Sequence, residues 1–425
     1  MDYQLPIQPF SSAYEDLSDP QNDFVNYFAS IRHDHITPII KKYYAGTGPV
    51  GYGVSLILSR ILKVKEVFFS DRVLAEKLTR NATFRSVCLL DKGRTPSHNT
   101  YNTLRKRLGV EGFRQIHRRF VLEANEIGLL NPDMLWLPKT RRPGVILIGD
   151  STFIQATCST KGKKQKDGSW LFQDRSVSFG RLHHKYRYAV GHKAHSLMSL
   201  TGIPLISVVT PADVQDQTVI IELVKELLRL YPELTFAYII LDRGYDAENI
   251  HQTLYEAYNI VAVIIRKKTA YPKGFAKAGY PLCPFGYALT RVGIDYKRKR
   301  TKFCCRKICL RKAKQQADLF DCDIVTSRNP NGKIVYTYFK DSYRKFGPAV
   351  PGTIIYKRLK PLRTAIEREY GLVKENRYKM EHTNTYHGID NVTIHVIEHD
   401  ITLTQDIIYN FRRSGLKSPV LKVDY

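Results

Sequence analysis

The apolar residues of the chain recur with helical spacing up to about residue 135. One repeat runs from Val54 to Leu62 and a second from Leu104 to Phe120. Apolar residues three and four positions apart lie on one face of a helix. Residues 1–135 are therefore predicted to form a helical domain.

From Pro143 the pattern changes to apolar runs of strand length. The runs VILIGD, YAVGHKAHSLMSL, IPLISVVTPA, FAYIILD and NIVAVIIRKK are strand candidates, and VIIELVKELLRLYP and AENIHQTLYEAYN have helical spacing. Strands and helices in this order predict an α/β core in which helices pack against a mixed sheet. The order matches the ribonuclease H-like topology. We assign residues 136–266 to the first part of this core.

Proline and glycine interrupt the alternation between residues 267 and 350, where short pieces such as IVYTYF predict a β-rich basic insertion. Residues 351–425 are assigned to the second part of the core and a C-terminal tail. Within them, IIYKRLKPLRTAIEREYGLVKENRYK is predicted to be one long helix. Pro361 leaves its true start open, because proline is tolerated in a first turn and disrupts a helix interior. The last helix of the core would thus follow the insertion.

Two acids directly follow apolar strands, Asp150 after VILIG and Asp242 after FAYIIL. Ligands of open α/β sheets gather at the carboxyl ends of the strands. Two carboxylates brought together there repel each other, and Mg²⁺, which takes carboxylate, phosphate and water oxygens, relieves the repulsion. A third acid, Glu367, lies on the late helix in line with Arg363 and Lys374. These three carboxylates are the candidate catalytic metal ligands. Arg363 and Lys374 could instead be ordinary charges on a wet helix surface.

The charge of the chain points to a polyanion as its partner. Lysine and arginine number 66 against 40 acids, a formal net charge of +26, and nucleic acid is the leading candidate. The densest basic run, residues 297–314, holds ten basic residues and no acid. We expect its members Lys297, Arg298, Lys299 and Arg300 to bind DNA, although an exposed insert that aids solubility has the same composition.

A second basic segment follows the turn residues Thr95 to Ser97. Ser97 is a candidate helix cap, and Arg105 and Arg107 lie on the helix that it would begin. This could be the DNA-reading helix of a helix-turn-helix unit. A solvated basic helix that touches nothing fits the same pattern.

The seven cysteines and the apolar runs bear on the cell compartment. No run of about 18 apolar residues occurs, and the first residues lack the features of a secretory signal. We therefore predict a cytoplasmic protein with no membrane contact, whose cysteines are free thiols. The spacing of Cys304, Cys305 and Cys309 leaves a structural Zn²⁺ as the alternative.

Three blocks of the sequence resemble the DDE transposases of bacterial insertion sequences. These are GDST around Asp150, LDRGYD around Asp242 and RTAIEREYGLVK around Glu367. The last block has the arginine, glutamate and lysine spacing of the insertion-sequence-four group, in which a β-rich insertion before the glutamate is also expected. The segment from Ser70 to Leu108 resembles the helical, DNA-binding domain of related transposases.

The resemblance implies a function. Asp150, Asp242 and Glu367 would hold two Mg²⁺ or Mn²⁺ ions, which is the arrangement for in-line phosphodiester displacement. The partners would be double-stranded DNA, namely the terminal inverted repeats of the element and a target, bound by a homodimer at the bacterial nucleoid. Arg363 and Lys374 would contact phosphates, and Tyr245 would either pack against a displaced base or fill the core.

Two other functions are consistent with the same residues. One is a ribonuclease H-like nuclease that hydrolyses DNA without joining it. The other is a domesticated DNA-binding protein that keeps the fold as a repressor or scaffold. The intact trio of acids argues against the second.

Overall fold

A computed structural model of the 425-residue chain describes residues 23–44, 51–130, 142–159, 161–168, 170–182, 187–267, 271–306, 332–363, 378–380 and 383–414. They form two compact units. The first holds the described parts of residues 1–135, 151–214 and 367–425, and the second those of residues 136–150 and 215–366. The predicted boundaries at residues 135, 266 and 350 stay predictions.

The described residues before position 131 are helical, as the spacing predicts. The helices are α1 (Asp23–Ala29), α2 (Thr37–Tyr43), α3 (Val54–Lys65), α4 (Asp71–Arg80), α5 (Ala82–Val87) and α6 (His98–Glu126). Side chains cap two of them: the Ser70 hydroxyl accepts a hydrogen bond from the Val73 amide at 3.3 Å, and the Asn81 side chain accepts one from the Phe84 amide at 3.0 Å. Such caps satisfy amides that a helix start leaves without partners.

Helix α6 begins directly after Ser97, at the predicted position, but the Ser97 side chain makes no capping hydrogen bond, which corrects that part of the prediction. The helix bends at Gly109. The backbone φ of Gly109 is 56°, a left-handed value that favours glycine because it has no Cβ. Leu104 and Leu108 before the bend, and Phe113 and Ile116 after it, all lie in the hydrophobic core of the helices. Both halves of the bent helix therefore bury their apolar face.

The strands of the core form one mixed sheet in the order β4–β5–β1–β7–β8, with β6 paired to β5. Their bounds are β1 (Val145–Gln155), β4 (Ser178–Leu182), β5 (Arg187–Ser199), β6 (Pro204–Pro211), β7 (Phe236–Leu241) and β8 (Val261–Ile264). Strand β1 begins in the second unit and ends in the first. A small separate hairpin joins β2 (Lys163–Lys164) to β3 (Trp170–Leu171).

In the second unit, β1, β7 and β8 are parallel neighbours. Every residue of β7 and β8 is buried, which is typical of parallel strands covered on both faces. The connecting helices are α7 (Asp216–Leu230) and α8 (Glu248–Glu256). The predicted α/β arrangement is present, and it fits a ribonuclease H-like fold.

In the first unit, β4, β5 and β6 are antiparallel. The long C-terminal helix α11 (Ile389–Ser414) packs against β6 and also against α3 and α6. Its residues Ile394, Ile397 and Ile401 belong to the core of the N-terminal helices. No helix in the described part of the chain has the length and apolarity needed to cross a bilayer.

The segment after β8 contains a three-stranded antiparallel sheet of β9 (Thr290–Asp295), β10 (Arg300–Cys304) and β11 (Ile334–Tyr338). Short helices follow, α9 (Tyr343–Phe346) and α10 (Ile354–Leu359). The prediction of one continuous helix through Pro361 is wrong at that residue. A turn at Lys360 and Pro361 separates α10 from the helical residues Leu362 and Arg363, because proline is tolerated in a first turn and disrupts a helix interior.

Candidate active site

Asp150 and Asp242 lie on neighbouring parallel strands. The register of β1 and β7 pairs Leu147 with Ile239 and Ile148 with Ile240. Continued for two residues, it sets Asp150 beside Asp242. Paired residues of adjacent strands point to the same face, and the strands lie about 5 Å apart. The expectation that the strand ends at Asp150 is wrong: β1 continues to Gln155, whereas Asp242 directly follows the end of β7. Both acids are half-buried, and the register, extended beyond its last pair, brings them to the same face of the sheet.

The turn after β7 fixes the Asp242 side chain. Asp242 caps a 3₁₀ turn (Arg243–Tyr245), and its Oδ1 accepts the amide of Gly244 at 2.7 Å. A Cβ at position 244 would lie 2.8 Å from that same Oδ1. From the other side, the Gln217 side chain on α7 donates to the Gly244 carbonyl. The glycine therefore leaves room for the carboxylate, and α7 holds the turn in place.

A second acid, Asp246, anchors the far end of this turn. Its side chain is 0% exposed and receives the Arg344 guanidinium on both oxygens, at 2.9 and 2.7 Å. The Lys267 amide donates to Oδ2 at 2.8 Å, and His251 lies 3.4 Å from Oδ1. Burial alone would raise the pKa of Asp246, but these hydrogen bonds hold it well below its usual range. Asp246 is thus a charged residue with a structural role, and both of its carboxylate oxygens accept hydrogen bonds within the protein.

Glu248 ties the start of α9 to the same region. Its carboxylate accepts from the Ser342 hydroxyl and from the backbone amides of Tyr343 and Arg344. These amides belong to the first turn of a helix, which has no backbone partners for them. Asp246 and Glu248 therefore hold the segment around Arg344 in two ways. Asp246 binds the Arg344 side chain, and Glu248 binds backbone amides of the segment.

The third predicted acid, Glu367, and the predicted phosphate contact Lys374 lie outside the described residues. Arg363 is the last described residue before them. It is half-buried, and its amide donates to the Lys360 carbonyl at 3.3 Å. Asp150 and Asp242 are therefore the predicted catalytic residues that can be compared with the structure.

Arg105 has a structural role, which corrects the prediction that it contacts DNA. It is 7% exposed, donates to Asp71 at 2.6 Å, and lies 4.4 Å from the centre of the Tyr386 ring. An Arg buried in such an ion pair offers no donor to a phosphate. Helical spacing carries a signal of this burial, because Arg105 lies four residues after the buried Tyr101 and three before the buried Leu108.

The other predicted DNA contacts differ in exposure. Arg107 is exposed, with its guanidinium 4.8 Å from the centre of the Tyr44 ring. Tyr245 is 3% exposed, so its ring fills the core, which was the second of its two predicted roles. Of these two residues, only Arg107 lies at the protein surface.

Lys297, Arg298 and Lys299 lie in the turn between β9 and β10, and Arg300 is the first residue of β10. Lys297 and Arg298 are exposed. Lys299 pairs with Glu256 at 2.6 Å, and Arg300 pairs with Asp295 at 3.3 Å while stacking 4.0 Å from the Tyr336 ring centre. Two of the four predicted contacts are thus already engaged with acids of the same unit.

The predicted free thiols are found at every described cysteine, which are Cys88, Cys158, Cys283, Cys304 and Cys305. Cys309 lies outside the described residues. Within the described ranges no cluster of three or more histidine, cysteine or acidic side chains could hold a metal ion. A zinc site made from the described cysteines alone is therefore absent.

The comparisons with known proteins give a family. A family model described as a transposase DDE domain matches residues 141–397, which is more than half of the chain. No curated protein matches the chain. Among solved structures it is similar to a piggyBac transposase in a synaptic complex with hairpin DNA, with 12% identity, 94% of this chain and 82% of that chain covered, and a TM-score of 0.30. That likeness is too weak to support an argument, whereas the family match is sufficient: the chain belongs to the transposases with a DDE domain, enzymes of DNA transposition.

Proposed function

We propose that this transposase binds the ends of its element, cleaves the phosphodiester bonds there, and joins the released 3′-OH ends to target DNA. We also assign it to the insertion-sequence-four group of bacterial elements, with the β9–β11 sheet as the inserted segment before Glu367. The observation that carries the proposal is the parallel register of β1 and β7, which supports a paired position for Asp150 and Asp242.

The chemistry of these side chains fits divalent metal. Two half-buried carboxylates side by side would repel each other, and hard oxygen donors of this kind suit Mg²⁺ or Mn²⁺. Asp150, Asp242 and Glu367 would hold the metal, two ions in each active site. When bound, such ions activate a nucleophile and stabilise the charge on the transferring phosphate and the leaving oxygen.

The residues of the chain would orient the reacting groups. The Gly244 amide holds one oxygen of Asp242 at 2.7 Å, which leaves the other oxygen of that carboxylate to act in the site. Arg363 and Lys374 would bind phosphates near the cleaved end, since arginine can bind two phosphate oxygens at once and lysine offers a point charge. Positioning of this kind places a water, and later a DNA 3′-OH, in line with the bond that breaks.

The basic surfaces would bind the DNA outside the reacting bond. Residues 1–135 would form the domain that reads the element ends, with Arg107 exposed on α6, and the turn with Lys297 and Arg298 would contact phosphates. Bringing two element ends together implies a homodimer on DNA. Each neutralised phosphate releases counterions, so the affinity for end DNA is expected to fall steeply between low and moderate salt. A flat salt dependence would contradict an extensive phosphate interface.

The test is cleavage and strand transfer in Mg²⁺ on DNA that bears the element ends. Asp150→Asn and Asp242→Asn are expected to abolish both reactions while end binding and thermal unfolding stay unchanged, because each variant removes only a charge from a half-buried edge. Glu222→Gln is the matched control. Glu222 is an exposed acid on α7 of the same unit, 72% accessible, and its variant should cleave at the wild-type rate.

The outcomes separate the competing functions. Cleavage without joining would indicate a nuclease, and binding without cleavage would indicate a DNA-binding protein that has lost its chemistry. Wild-type cleavage by Asp150→Asn would show that the active site lies elsewhere.

A further inference from the structure

A small hairpin follows the strand that carries Asp150, and the proposed active site does not use it. It comprises residues 161–168 and 170–171, here called the lysine hairpin, in which β2 pairs with β3. The segment contains Lys161, Lys163, Lys164 and Lys166 against a single acid, and all four lysines are exposed. It is therefore a positively charged segment whose lysines face solvent.

The lysine hairpin also presents an aromatic ring to solvent. Trp170 is 45% exposed, although tryptophan side chains are usually well buried. Its ring stands edge-on to Phe179, with centroids 5.4 Å apart at 89°. Phe179 in turn packs on a small core that includes Phe172 and Val190. The indole is thus in contact with Phe179, and part of the ring stays accessible.

A second exposed aromatic residue, Tyr188, lies on the face of the main sheet that carries Phe179. Strand β4 pairs with β5 so that Phe179 opposes Val190. Tyr188, two residues from Val190 along β5, shares its face because side chains alternate along a strand, and it is 73% exposed. The surface therefore combines two accessible aromatic rings with a dense group of lysines.

We propose that the lysine hairpin binds unpaired bases of DNA, with Trp170 stacking on a base and the lysines contacting the adjoining phosphates. The charge is complementary to a polyanion, and an accessible ring suits an unstacked base, since every base has a face on which an aromatic ring can stack. A fully paired duplex keeps its bases stacked inside and offers a ring no such partner. The proposal rests on the proposed function, because cleavage at element ends is what would supply strand ends to this transposase.

The intrinsic fluorescence of the chain allows a direct test. The sequence contains two tryptophans, Trp136 and Trp170, so the Trp136→Phe variant reports on Trp170 alone. Its emission is expected to be quenched by a single-stranded oligonucleotide and far less by a blunt duplex of equal length. In parallel, affinities are measured for end DNA with a single-stranded overhang and for the same DNA with blunt ends.

Substitutions then separate stacking from charge. Trp170→Leu keeps an apolar side chain and is expected to weaken overhang binding about tenfold, the effect of losing one stacked base, while blunt binding changes little. Trp170→Phe should recover most of the loss. Lys164→Gln should weaken binding and lower its salt dependence, whereas Lys225→Gln, an exposed lysine on α7, should do neither.

Each result has a definite meaning. Selective loss of overhang binding together with quenching supports the proposal. Equal losses on overhang and blunt DNA, or unchanged emission while the protein binds DNA, would overturn it and leave the proposed function intact. If the wild-type protein binds none of these DNAs, the proposed function fails, and the role of the hairpin fails with it.

Discussion

Removal of the Arg344 guanidinium should loosen the turn that carries Asp242. In the native protein, Arg344 donates to both oxygens of Asp246, whose side chain is fully buried. The Arg344→Ala variant would leave that carboxylate with the Lys267 amide and His251 as partners. Because Asp246 ends the turn that begins at Asp242, the position of the catalytic carboxylate should become less fixed. Cleavage is expected to fall while binding of end DNA stays near the wild-type value.

The magnitude follows from the burial of the pair. Breaking a buried ion pair on one side costs about 3–5 kcal/mol. Arg344 is 22% exposed, and Asp246 keeps one strong backbone donor, so we expect the lower end, about 3 kcal/mol. At about 1.4 kcal/mol for each factor of ten, this corresponds to a loss of roughly a hundredfold in local protection.

Hydrogen exchange of the Lys267 amide is the local assay, because that amide donates to Asp246. Its protection factor should fall about a hundredfold in Arg344→Ala at pH 7. Arg344→Lys, which keeps the charge but not the two-pronged contact, should fall in between. Arg243→Ala is the control, since Arg243 is an exposed neighbour of Asp242 and its loss should leave the protection of Lys267 unchanged.

The pH dependence gives the refuting result. The pKa of Asp246 is lower in the folded protein than its ordinary value of about 4. A group of this kind contributes stability that is present above the ordinary pKa and is lost as the pH falls through the folded pKa. The difference in Lys267 amide protection between wild type and Arg344→Ala should therefore be complete at pH 7 and shrink below about pH 4. If this difference is absent at pH 7, or unchanged at pH 3, the proposed role of the Arg344–Asp246 ion pair is refuted.

Three other substitutions test the turn and the helical core. Gly244→Ala should abolish most cleavage with little change in thermal unfolding, because its Cβ would displace the carboxylate of Asp242 rather than the backbone. Arg60→Met should destabilise the fold by about 3–5 kcal/mol in urea unfolding, since Arg60 donates to the buried Glu398 at 2.7 and 2.6 Å, and adding Glu398→Leu should recover most of the loss. Lys63→Met should cost clearly less, because burial already lowers the pKa of Lys63 to about 8; equal losses for Arg60 and Lys63 would contradict this reasoning.

The sheet could be predicted because its strands are continuous apolar runs. The runs around Ile148 and Ile240 are buried on both faces, a pattern typical of parallel central strands. The sequence also predicts that both acids follow these runs, but it does not show that β1 continues beyond Asp150 to Gln155. Pro361 leaves the start of the predicted long helix open, and periodicity could not locate the break because it does not change across that residue. Apolar spacing shows which face is buried and does not show where the backbone turns.

The partners of buried charges could not be predicted from the sequence. Asp246 belongs to the recognisable LDRGYD block, but its partner Arg344 lies 98 residues away. Nothing in the sequence distinguishes Arg344 from the other basic residues as the partner of Asp246. The same limit applies to the net charge. Arg60, Lys63 and Arg105 count toward the +26, although all three are buried among acids and Tyr386.

The distinction between buried and exposed cations has a consequence for DNA binding. A cation that is enclosed with its own carboxylate releases no counterion from DNA, because it was never available to a phosphate. The salt dependence of end binding should therefore follow the exposed clusters, such as Lys297 with Arg298 and the lysine hairpin, rather than the total composition. Neutralising Arg105 should change stability and leave the salt slope as it is, whereas neutralising Lys297 should lower the slope by about one charge. A lower slope for Arg105→Gln with no loss of stability would show that this residue does reach the DNA.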